Sequence, residues 1–373
     1  MILAGKLILL LVLQGPREVT LAKPERVLQQ EFSQIRGVRE LPDGRLLVSD
    51  RLDKGVVVVD FATNALRTIG RTGRGPAEYR LPTGLRAMLG DSTLLNDEGN
   101  SRIAIIGPDL RIHRSFTLLL PGVPLPSGAR GVDRQGRFYV QIPGWIRQEN
   151  PNDSVGVVRF DMRSERADTI LRVKGLTWLP PGPRYGIGYV VFAPQDVWAV
   201  TPEGRIAVVR SGDYHVEWYE PNGSVVRGPP VSFERIPVTM TERKAYARQF
   251  LENSNIAGSG TDDALSAVPA SMLEEESLQR MAERNTFAEF KPAFTEATPH
   301  IAPDRTLWVE RSTRVGEAAL WDVFDATGKL TARVRLPSNR QLGAVGARWL
   351  YVIATDEDGL QHLERYARAL PIP

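Results

Sequence analysis

The sequence contains an internal repeat of about 45 residues, and this feature constrains the fold more than any other. The core of the repeat is a six-residue strand pattern, rich in β-branched and aromatic side chains, that aligns without gaps in six copies. The copies occupy residues 45–50, 92–97, 137–142, 205–210, 306–311 and 349–354. Repeats of this length are typical of propellers and solenoids, so the chain is expected to consist of six similar units.

Each unit is expected to contain several antiparallel strands. Turn signals such as Pro42-Asp43-Gly44 precede most copies and predict a hairpin with a strand just before it. A third strand pattern follows in every unit, and a fourth follows in all but the last. An unassigned pattern, Arg26–Phe32, precedes the first unit and could supply the missing strand.

This exchange between the termini would close a ring and remove long sheet edges. The sequence therefore predicts an all-β, six-bladed β-propeller of four-stranded antiparallel blades. An open solenoid is the alternative, although it would need no such exchange.

A glycine- and proline-rich connector, residues 73–79 (GRGPAEY), lies between the first two units. It resembles the G-x-G-P-x-E-[FY] connector of bacterial secreted six-bladed propellers related to the NHL-repeat propellers. The resemblance implies the same fold, but functions in that family are mostly unassigned. A phosphate-binding glycine loop is the alternative, but this connector leads into no helix N-terminus. We expect Glu78 to accept backbone hydrogen bonds and Tyr79 to pack between blades.

Charge and cysteine content exclude several classes of function. The chain has 47 Lys+Arg and 44 Asp+Glu, a net charge of +3, and its basic residues are spread along the sequence. Nucleic acid is not an expected partner, since its binding needs clustered cations. The absence of cysteine excludes disulfides, thiol catalysis, cysteine-bound metals and lipid attachment at a cysteine. We predict a monomer without a cofactor.

The N-terminus has the pattern of a signal peptide. Lys6 is followed by an apolar run at residues 7–13, which is too short to span a hydrocarbon core of about 30 Å, and then by Gly15 and Pro16. Residues 1–22 are predicted to be removed, which leaves a mature chain from about Lys23 with no membrane span. The expected location is periplasmic or secreted, and an uncleaved interfacial segment is the alternative.

Residues 235–293 interrupt the repeat between the fourth and fifth units. Helical patterns cover residues 241–252 and 271–283, and Thr241 with Lys244 is interpreted as a partial capping box. This helical insertion is expected to be a lid or a partner-docking hairpin. The alternative is an insertion that only protects the ring.

Charged residues are expected at the mouth of the central channel, where inner strands begin and second strands end. The candidate ligand-binding residues are Arg36, Asp50, Arg86, Asp97, Arg130, Asp196, Arg210, His300 and Arg311. Arg36, Arg86 and Arg130 are expected at or near equivalent positions of the first three inner strands. Because guanidinium groups bind carboxylates and phosphates in bidentate geometry, the mouth is predicted to prefer anions and to hold no metal.

Two other functions remain open. A metal-dependent hydrolase or lyase, resembling lactonase-type propellers, would need converging acids and amides, which Asp50, Asn96, Asp97 and Asp356 could approximate. Carbohydrate recognition would need exposed aromatic residues, for which the candidates are Trp145, Trp178, Tyr185, Trp198 and Trp218. No G-x-S-x-G elbow is present, and we assign no catalytic residue.

The favoured interpretation is a non-catalytic binding or scaffold propeller of the cell envelope. It would present its channel face and helical insertion to an envelope protein or a small polar, anionic ligand. This interpretation rests on fold analogy, which does not determine function. The sequence leaves open whether any reaction is catalysed.

Overall fold

The structure, a computed structural model, describes residues 15–120, 128–142, 154–179, 188–254 and 268–368. Two strands precede the first blade: β1 (Arg17–Thr20) and β2 (Arg26–Phe32). The first blade contains β3 (Ile35–Glu40), β4 (Leu46–Asp50), β5 (Gly55–Val59) and β6 (Leu66–Thr68). A connector with two short parallel strands, β7 (Arg71–Thr72) and β8 (Glu78–Tyr79), leads to the second blade.

The next three blades repeat the same antiparallel order. The second blade contains β9 (Pro82–Ala87), β10 (Thr93–Asp97), β11 (Arg102–Ile106) and β12 (Ile112–Phe116). The third contains β13 (Gly131–Val132), β14 (Phe138–Gln141), β15 (Val155–Asp161) and β16 (Arg166–Val173). The fourth contains β17 (Val197–Val200), β18 (Ile206–Arg210), β19 (His215–Tyr219) and β20 (Val225–Arg227).

The helical insertion follows the fourth blade, as the sequence predicts, and contains α1 (Met240–Ser254) and α2 (Glu275–Arg284). The fifth blade contains β21 (His300–Ile301), β22 (Leu307–Glu310), β23 (Leu320–Phe324) and β24 (Leu330–Arg335). The last contains β25 (Arg340–Val345), β26 (Trp349–Thr355) and β27 (Gln361–Ala367). In the described part of the chain, no helix has the length and apolar character needed to cross a membrane.

The prediction of a six-bladed β-propeller is confirmed. The inner strands of neighbouring blades contact one another around a complete circle, from β3 through β9, β13, β17 and β21 to β25 and back to β3. The second strands are buried on both faces because each blade is covered by its two neighbours, and all five residues of β4 are buried. The hydrophobic core consists of clusters between consecutive blades.

The N-terminal strand β2 completes the last blade, in the position that the sequence pattern assigns to Arg26–Phe32. It pairs antiparallel with β27, so the order of that blade is β2-β27-β26-β25. Leu28 and Phe32 are 2% and 4% exposed and pack in the core between the last and first blades. Both ends of the described chain therefore contribute to one sheet.

The fifth blade has one strand more than the four that the repeat predicts. Strand β1 pairs in parallel with β24, its outermost strand, and Leu21 joins the core of this blade. The apolar run of the predicted signal peptide lies outside the described residues. Cleavage of residues 1–22 would remove β1. A mature chain that starts at Lys23 would therefore lack the fifth strand of this blade.

The connector between the first two blades forms a tight turn around Glu78. The backbone N–H of Gly75 donates to Glu78 Oε2 at 2.6 Å, and a Cβ atom at Gly73 or Gly75 would collide with this carboxylate. Tyr79 is 1% exposed between the blades, where its hydroxyl donates to the Ile69 carbonyl at 2.8 Å. These contacts match the structural roles expected for Glu78 and Tyr79.

The first helix begins one residue earlier than its sequence pattern indicates, and the predicted cap at Thr241 is wrong. Helix α1 starts at Met240, and the N–H of Arg243 donates to the Thr239 carbonyl at 3.0 Å. Thr239 Oγ1 accepts the N–H of Glu242 at 3.5 Å, a long bond that still places Thr239 at the cap position. Thr239 with Glu242 is the T-x-x-E pattern, whereas Thr241 is followed by Lys244.

Candidate functional site

The central channel is lined by the inner strands of all six blades and forms a cavity of about 850 Å³. Arg36, Arg39, Arg86, Arg130 and His300 line this cavity. With Arg134 and Arg305, six arginines of the described chain line the cavity, against two acids, Glu40 and Glu203. The channel wall is therefore rich in cations, which the sequence predicts for its mouth.

The strand register shows which of these side chains share a level in the channel. Arg39 pairs with Leu47, Arg86 with Leu94, and His300 with Trp308. These three partners hold the same position in the six-residue repeat, so Arg39, Arg86 and His300 lie at one level on the first, second and fifth blades.

Arg36, Arg86 and Arg130, predicted at or near equivalent positions, do not share one register position. Arg36 lies three residues before Arg39 on β3, nearer one end of the channel. Arg130 precedes Gly131, which holds the position equivalent to Arg39 because it pairs with Tyr139. Arg39 is thus the functional candidate that sequence analysis missed.

The channel guanidinium groups are balanced mainly by neutral groups. Arg39 Nη1 donates to the Ser92 carbonyl at 2.8 Å, and Arg86 donates to the carbonyls of Arg130 and Leu85 at 3.3 and 3.1 Å. Arg130 lies over the Trp198 ring, 5.3 Å from its centroid. Within the described ranges, no carboxylate forms an ion pair with Arg39, Arg86 or Arg130.

Burial penalises these cations. It lowers the pKa of Arg86, and it lowers the pKa of Arg39 to about 10. The pKa of Arg130 is also lowered to about 10, first by burial and then by the charge of Arg86. A cation that has lost part of its hydration and has no carboxylate partner favours an incoming anion. The negative charge of the anion compensates the lost interactions with water.

A second cavity of about 810 Å³, which we call the α1 chamber, lies between helix α1 and the propeller and is lined mainly by α1 and by residues 189–195 and 291–315. Arg36, His300, Gln341 and Leu342 line both the chamber and the channel. The two cavities are therefore adjoining parts of one candidate site.

Helix α1 is fixed to the ring at both ends. Near its start, Glu242 pairs with Lys291 and accepts the N–H of Val315 at 3.0 Å on the fifth blade. Near its end, Asn253 accepts hydrogen bonds from Arg36 Nη2 at 2.8 Å and from Arg51 Nη1 at 2.9 Å on the first blade. The helix thus bridges the first and fifth blades beside the channel end at which Arg36 lies.

His300 lies in the wall between the two cavities. Its ring packs edge-on against Trp321, with centroids 5.5 Å apart. Burial, and secondarily the charge of Arg86, lowers the pKa of His300 to about 4. At neutral pH the imidazole is therefore uncharged and adds no positive charge to the channel.

This lowered pKa predicts a loss of stability in acid. An unfolded histidine binds a proton at a pKa near 6.5 and folded His300 only at about 4, so the free energy of unfolding should fall as pH decreases from 6.5 to 4. The full effect is about 3 kcal/mol, from about 1.36 kcal/mol per pKa unit. Urea unfolding of the parent and of His300→Gln across this range should show a shallower pH dependence for the variant.

His113→Gln is the matched control, because His113 is exposed and pairs with Asp109 on the surface. It should leave most of the acid-induced loss in place. Identical pH profiles for the parent and His300→Gln would contradict the assignment of a neutral, half-buried His300.

The predicted acids have structural partners. Asp50 accepts the backbone N–H groups of Ser33, Gln34 and Asp53, and Asp97 accepts those of Arg80 and Leu81. Asp196 accepts the N–H groups of Lys174 and Ser211. These three carboxylates are buried, and they line neither the channel cavity nor the α1 chamber.

The arginines predicted at the ends of second strands also form ion pairs with acids of the propeller. Arg210 pairs with Asp196 at 2.9 Å and with Glu217 at 2.6 Å. Arg311 is 9% exposed and donates to Asp322 at 3.0 Å and to the Ala293 carbonyl at 2.9 Å. Arg311 lines the α1 chamber, but its charge is balanced by a fully buried acid.

The possible metal ligands do not converge. Asp50 and Asp97 bind backbone N–H groups, Asn96 donates to the Ala129 carbonyl at 3.4 Å, and Asp356 contacts His362 at 3.0 Å. Among the described residues, no group of three or more histidine or acidic side chains is placed to hold a metal ion.

The aromatic residues proposed for carbohydrate stacking differ in their exposure. Trp198 and Trp218 are fully buried, whereas Trp178 is partly exposed and contacts Tyr189 edge-on at 5.8 Å between ring centroids. Trp145 and Tyr185 lie outside the described residues. The buried rings have no face available for a sugar.

Comparison with one solved structure, which has a TM-score of 0.50, supports the fold. A protein from Bacteroides fragilis that is thought to be exported shares 12% identity, with a TM-score of 0.50 over 94% of this chain and 99% of that one. A duf4221 family member from Bacteroides vulgatus shares 10% identity (TM-score 0.47; 92% and 98% coverage), and a gluconolactonase from Xanthomonas campestris shares 11% (TM-score 0.44; 94% and 98%). No family model and no curated protein matches the sequence. At these identities the similarity is one of fold and does not extend to activity.

Proposed function

We propose that this protein is an exported, non-catalytic propeller that binds a small anionic ligand in its central channel, beside helix α1. The observation that carries the proposal is the group formed by Arg39, Arg86 and Arg130, whose cations line the channel and form no ion pair with any described residue. The proposed site also includes Arg36 and His300. Asp50, Asp97, Asp196 and Arg210 are left out, because their partners are structural.

Electrostatics support an anion as the ligand. Charges in a narrow channel with low-dielectric walls produce a focused potential that raises the local concentration of the opposite charge. Arg86 Nε donates to the Arg130 carbonyl at 3.3 Å, and Arg86, Arg130 and His300 line the same cavity, so one anion can interact with several of these groups. Guanidinium groups bind carboxylates and phosphates through paired N–H donors.

Arg130→Met tests the proposal. A bound anion at one hundred times its Kd should stabilise the parent by about 2.7 kcal/mol, and the variant should lose most of this effect. The unliganded variant should be about as stable as the parent, because the half-buried cation that it removes has no carboxylate partner among the described residues and methionine is of similar length. Thermal unfolding with phosphate, citrate and sugar acids at constant ionic strength measures both quantities.

Arg166→Met is the control, since the Arg166 side chain is 75% exposed and its partner, Asp168, is on the surface. It should preserve stabilisation by anions. The proposal fails if no anion stabilises the parent, or if Arg130→Met retains the whole effect. Stoichiometric binding of calcium or zinc instead would favour a metal-dependent hydrolase.

Export is proposed from the pattern of residues 1–22 and from the connector at residues 73–79, which resembles that of secreted propellers. We place the protein in the periplasm or outside the cell. Mass spectrometry of the mature chain tests this, because an intact N-terminus on protein recovered from the cytoplasm would contradict it. The measured start would also show whether β1 is retained.

A further inference from the structure

One part of the α1 chamber wall is aromatic and is formed by Tyr189, Phe192, Tyr246 and Phe250. Tyr246 on α1 packs edge-on against Phe192 and Phe287, with ring centroids 5.4 and 5.9 Å apart, and lies near Phe250 at 6.1 Å. Its hydroxyl forms a hydrogen bond with that of Tyr189 at 3.0 Å. The chamber volume, about 810 Å³, is within the range of small-molecule sites.

The chamber contains three acidic residues, which differ in exposure and in their hydrogen-bond or ion-pair partners. Glu242 is paired with Lys291, and Glu296 is exposed and accepts a hydrogen bond from Gln195 at 2.9 Å. Glu310 Oε2 accepts a hydrogen bond from Thr295 Oγ1 at 3.0 Å. Across the described ranges, Glu310 has no cation partner, and its Oε1 is free to accept another donor.

Burial raises the pKa of the Glu310 carboxyl, and the hydrogen bond from Thr295 offsets this only in part. The nearby cations are already engaged: Lys291 by Glu242, and Arg311 by Asp322. A donor supplied by a ligand would complete the hydrogen bonding of Glu310.

We propose that the α1 chamber binds the amine of a small zwitterion, an amino acid with an apolar body, whose acid group lies in the channel. Glu310 Oε1 accepts the ammonium group, and the aromatic wall contacts the apolar body. Arg36 and Arg86 attract the acid group. This inference rests on the proposed anion-binding function and names the ligand class for the same site.

The two cavities have the charges that such a ligand requires. Among the residues described, the channel presents cations without an ion pair. In the described part of the chamber, Glu310 and Glu296 have no cation partner, and Glu310 is the more buried of the two. Arg36 and His300 line both cavities, so one molecule can extend from one to the other. A simple acid would leave Glu310 without a cation partner, whereas an amine alone would leave the channel cations without an anion.

Calorimetric titration of the full chain should compare straight-chain ω-amino acids of increasing length with unsubstituted carboxylic acids of the same lengths. At the length that reaches Glu310, the amino acid should bind at least tenfold more tightly than the matched acid, since hydrogen bonds to charged groups contribute about 1.5–3 kcal/mol. Glu310→Gln should reduce this ratio to about one while the acid retains its affinity. Glu296→Gln, at the exposed chamber acid, should leave the ratio unchanged.

The outcomes separate this inference from the function on which it rests. Equal affinities of acids and amino acids for the parent at every length would overturn the zwitterion and leave anion binding intact. If neither series binds, the anion proposal fails for carboxylates, and the zwitterion fails with it. Loss of both series in Glu310→Gln, with an unchanged melting temperature, would also overturn the selective role of Glu310.

Discussion

Asp322→Ala is expected to lower the free energy of unfolding by about 3–5 kcal/mol, the usual cost of removing one partner of a buried ion pair. Asp322 is 0% exposed and accepts hydrogen bonds from Arg311 Nη1 at 3.0 Å, Arg333 Nε at 3.1 Å and the Tyr214 hydroxyl at 2.6 Å. The variant leaves the guanidinium group of Arg311 without an acid among the described residues and leaves Arg333 with only the exposed Glu18, at 3.5 Å. It also leaves a phenol, whose pKa burial already raises, without its acceptor.

Urea unfolding measures the effect, and Asp168→Ala is the matched control. Asp168 pairs with Arg159 and Arg166 on the surface, where an ion pair contributes about 0–1 kcal/mol. A loss below 1 kcal/mol for Asp322→Ala would show that Arg311 and Arg333 find other partners. Arg311 would then be available to a ligand, as its sequence position suggested.

The blades were predictable because their pattern recurs. A single six-residue apolar segment could be a strand or a buried helix turn, but its recurrence with turn signals requires a repeated hairpin. The pairing of β1 with β24 was not predictable, since this parallel pair is joined by no hairpin turn and its residues belong to a segment interpreted as a signal peptide.

The cationic character of the channel was predictable from the sequence, but the register of the side chains that line it was not. Inner strands such as β13 and β21 are only two residues long, too short for alternation to show which side chains face the channel. Arg39 was therefore missed, although it holds the same repeat position as Arg86 and His300. Glu310 was missed because its hydrogen-bond partner, Thr295, lies in the irregular segment before β21 and its contacts could not be inferred from the repeat.

The strand-end acids illustrate what a sequence does not specify. Asp50 and Asp97 occupy the last position of the six-residue repeat, and each binds backbone N–H groups just before the inner strand of its own blade. A carboxylate at a strand end can face solvent or fold back on the chain, and only the tertiary arrangement decides between these. The one indication in the sequence that these acids are structural was that aspartate occurs at the same repeat position in the first two units.

The closure of the ring leads to the second large expected effect. Leu28→Ala is expected to lower the free energy of unfolding by about 2–5 kcal/mol and Phe32→Ala by about 3–5 kcal/mol, the range for buried side chains of these types. Both residues lie on β2 and pack against the core between the last and first blades, which includes Phe61 and Tyr351. Each truncation leaves a cavity where the two ends of the chain are held together.

Val27→Ala is the control on the same strand, because Val27 is 46% exposed, and it should change stability by about 0.5 kcal/mol or less. Denaturant unfolding of the three variants tests whether β2 is an integral strand of the last blade. If β2 only lay on the surface, all three substitutions would have small and similar effects. Large losses confined to Leu28 and Phe32 would show that the stability of the whole ring depends on this N-terminal strand, because no other described strand pairs with the outer edge of β27.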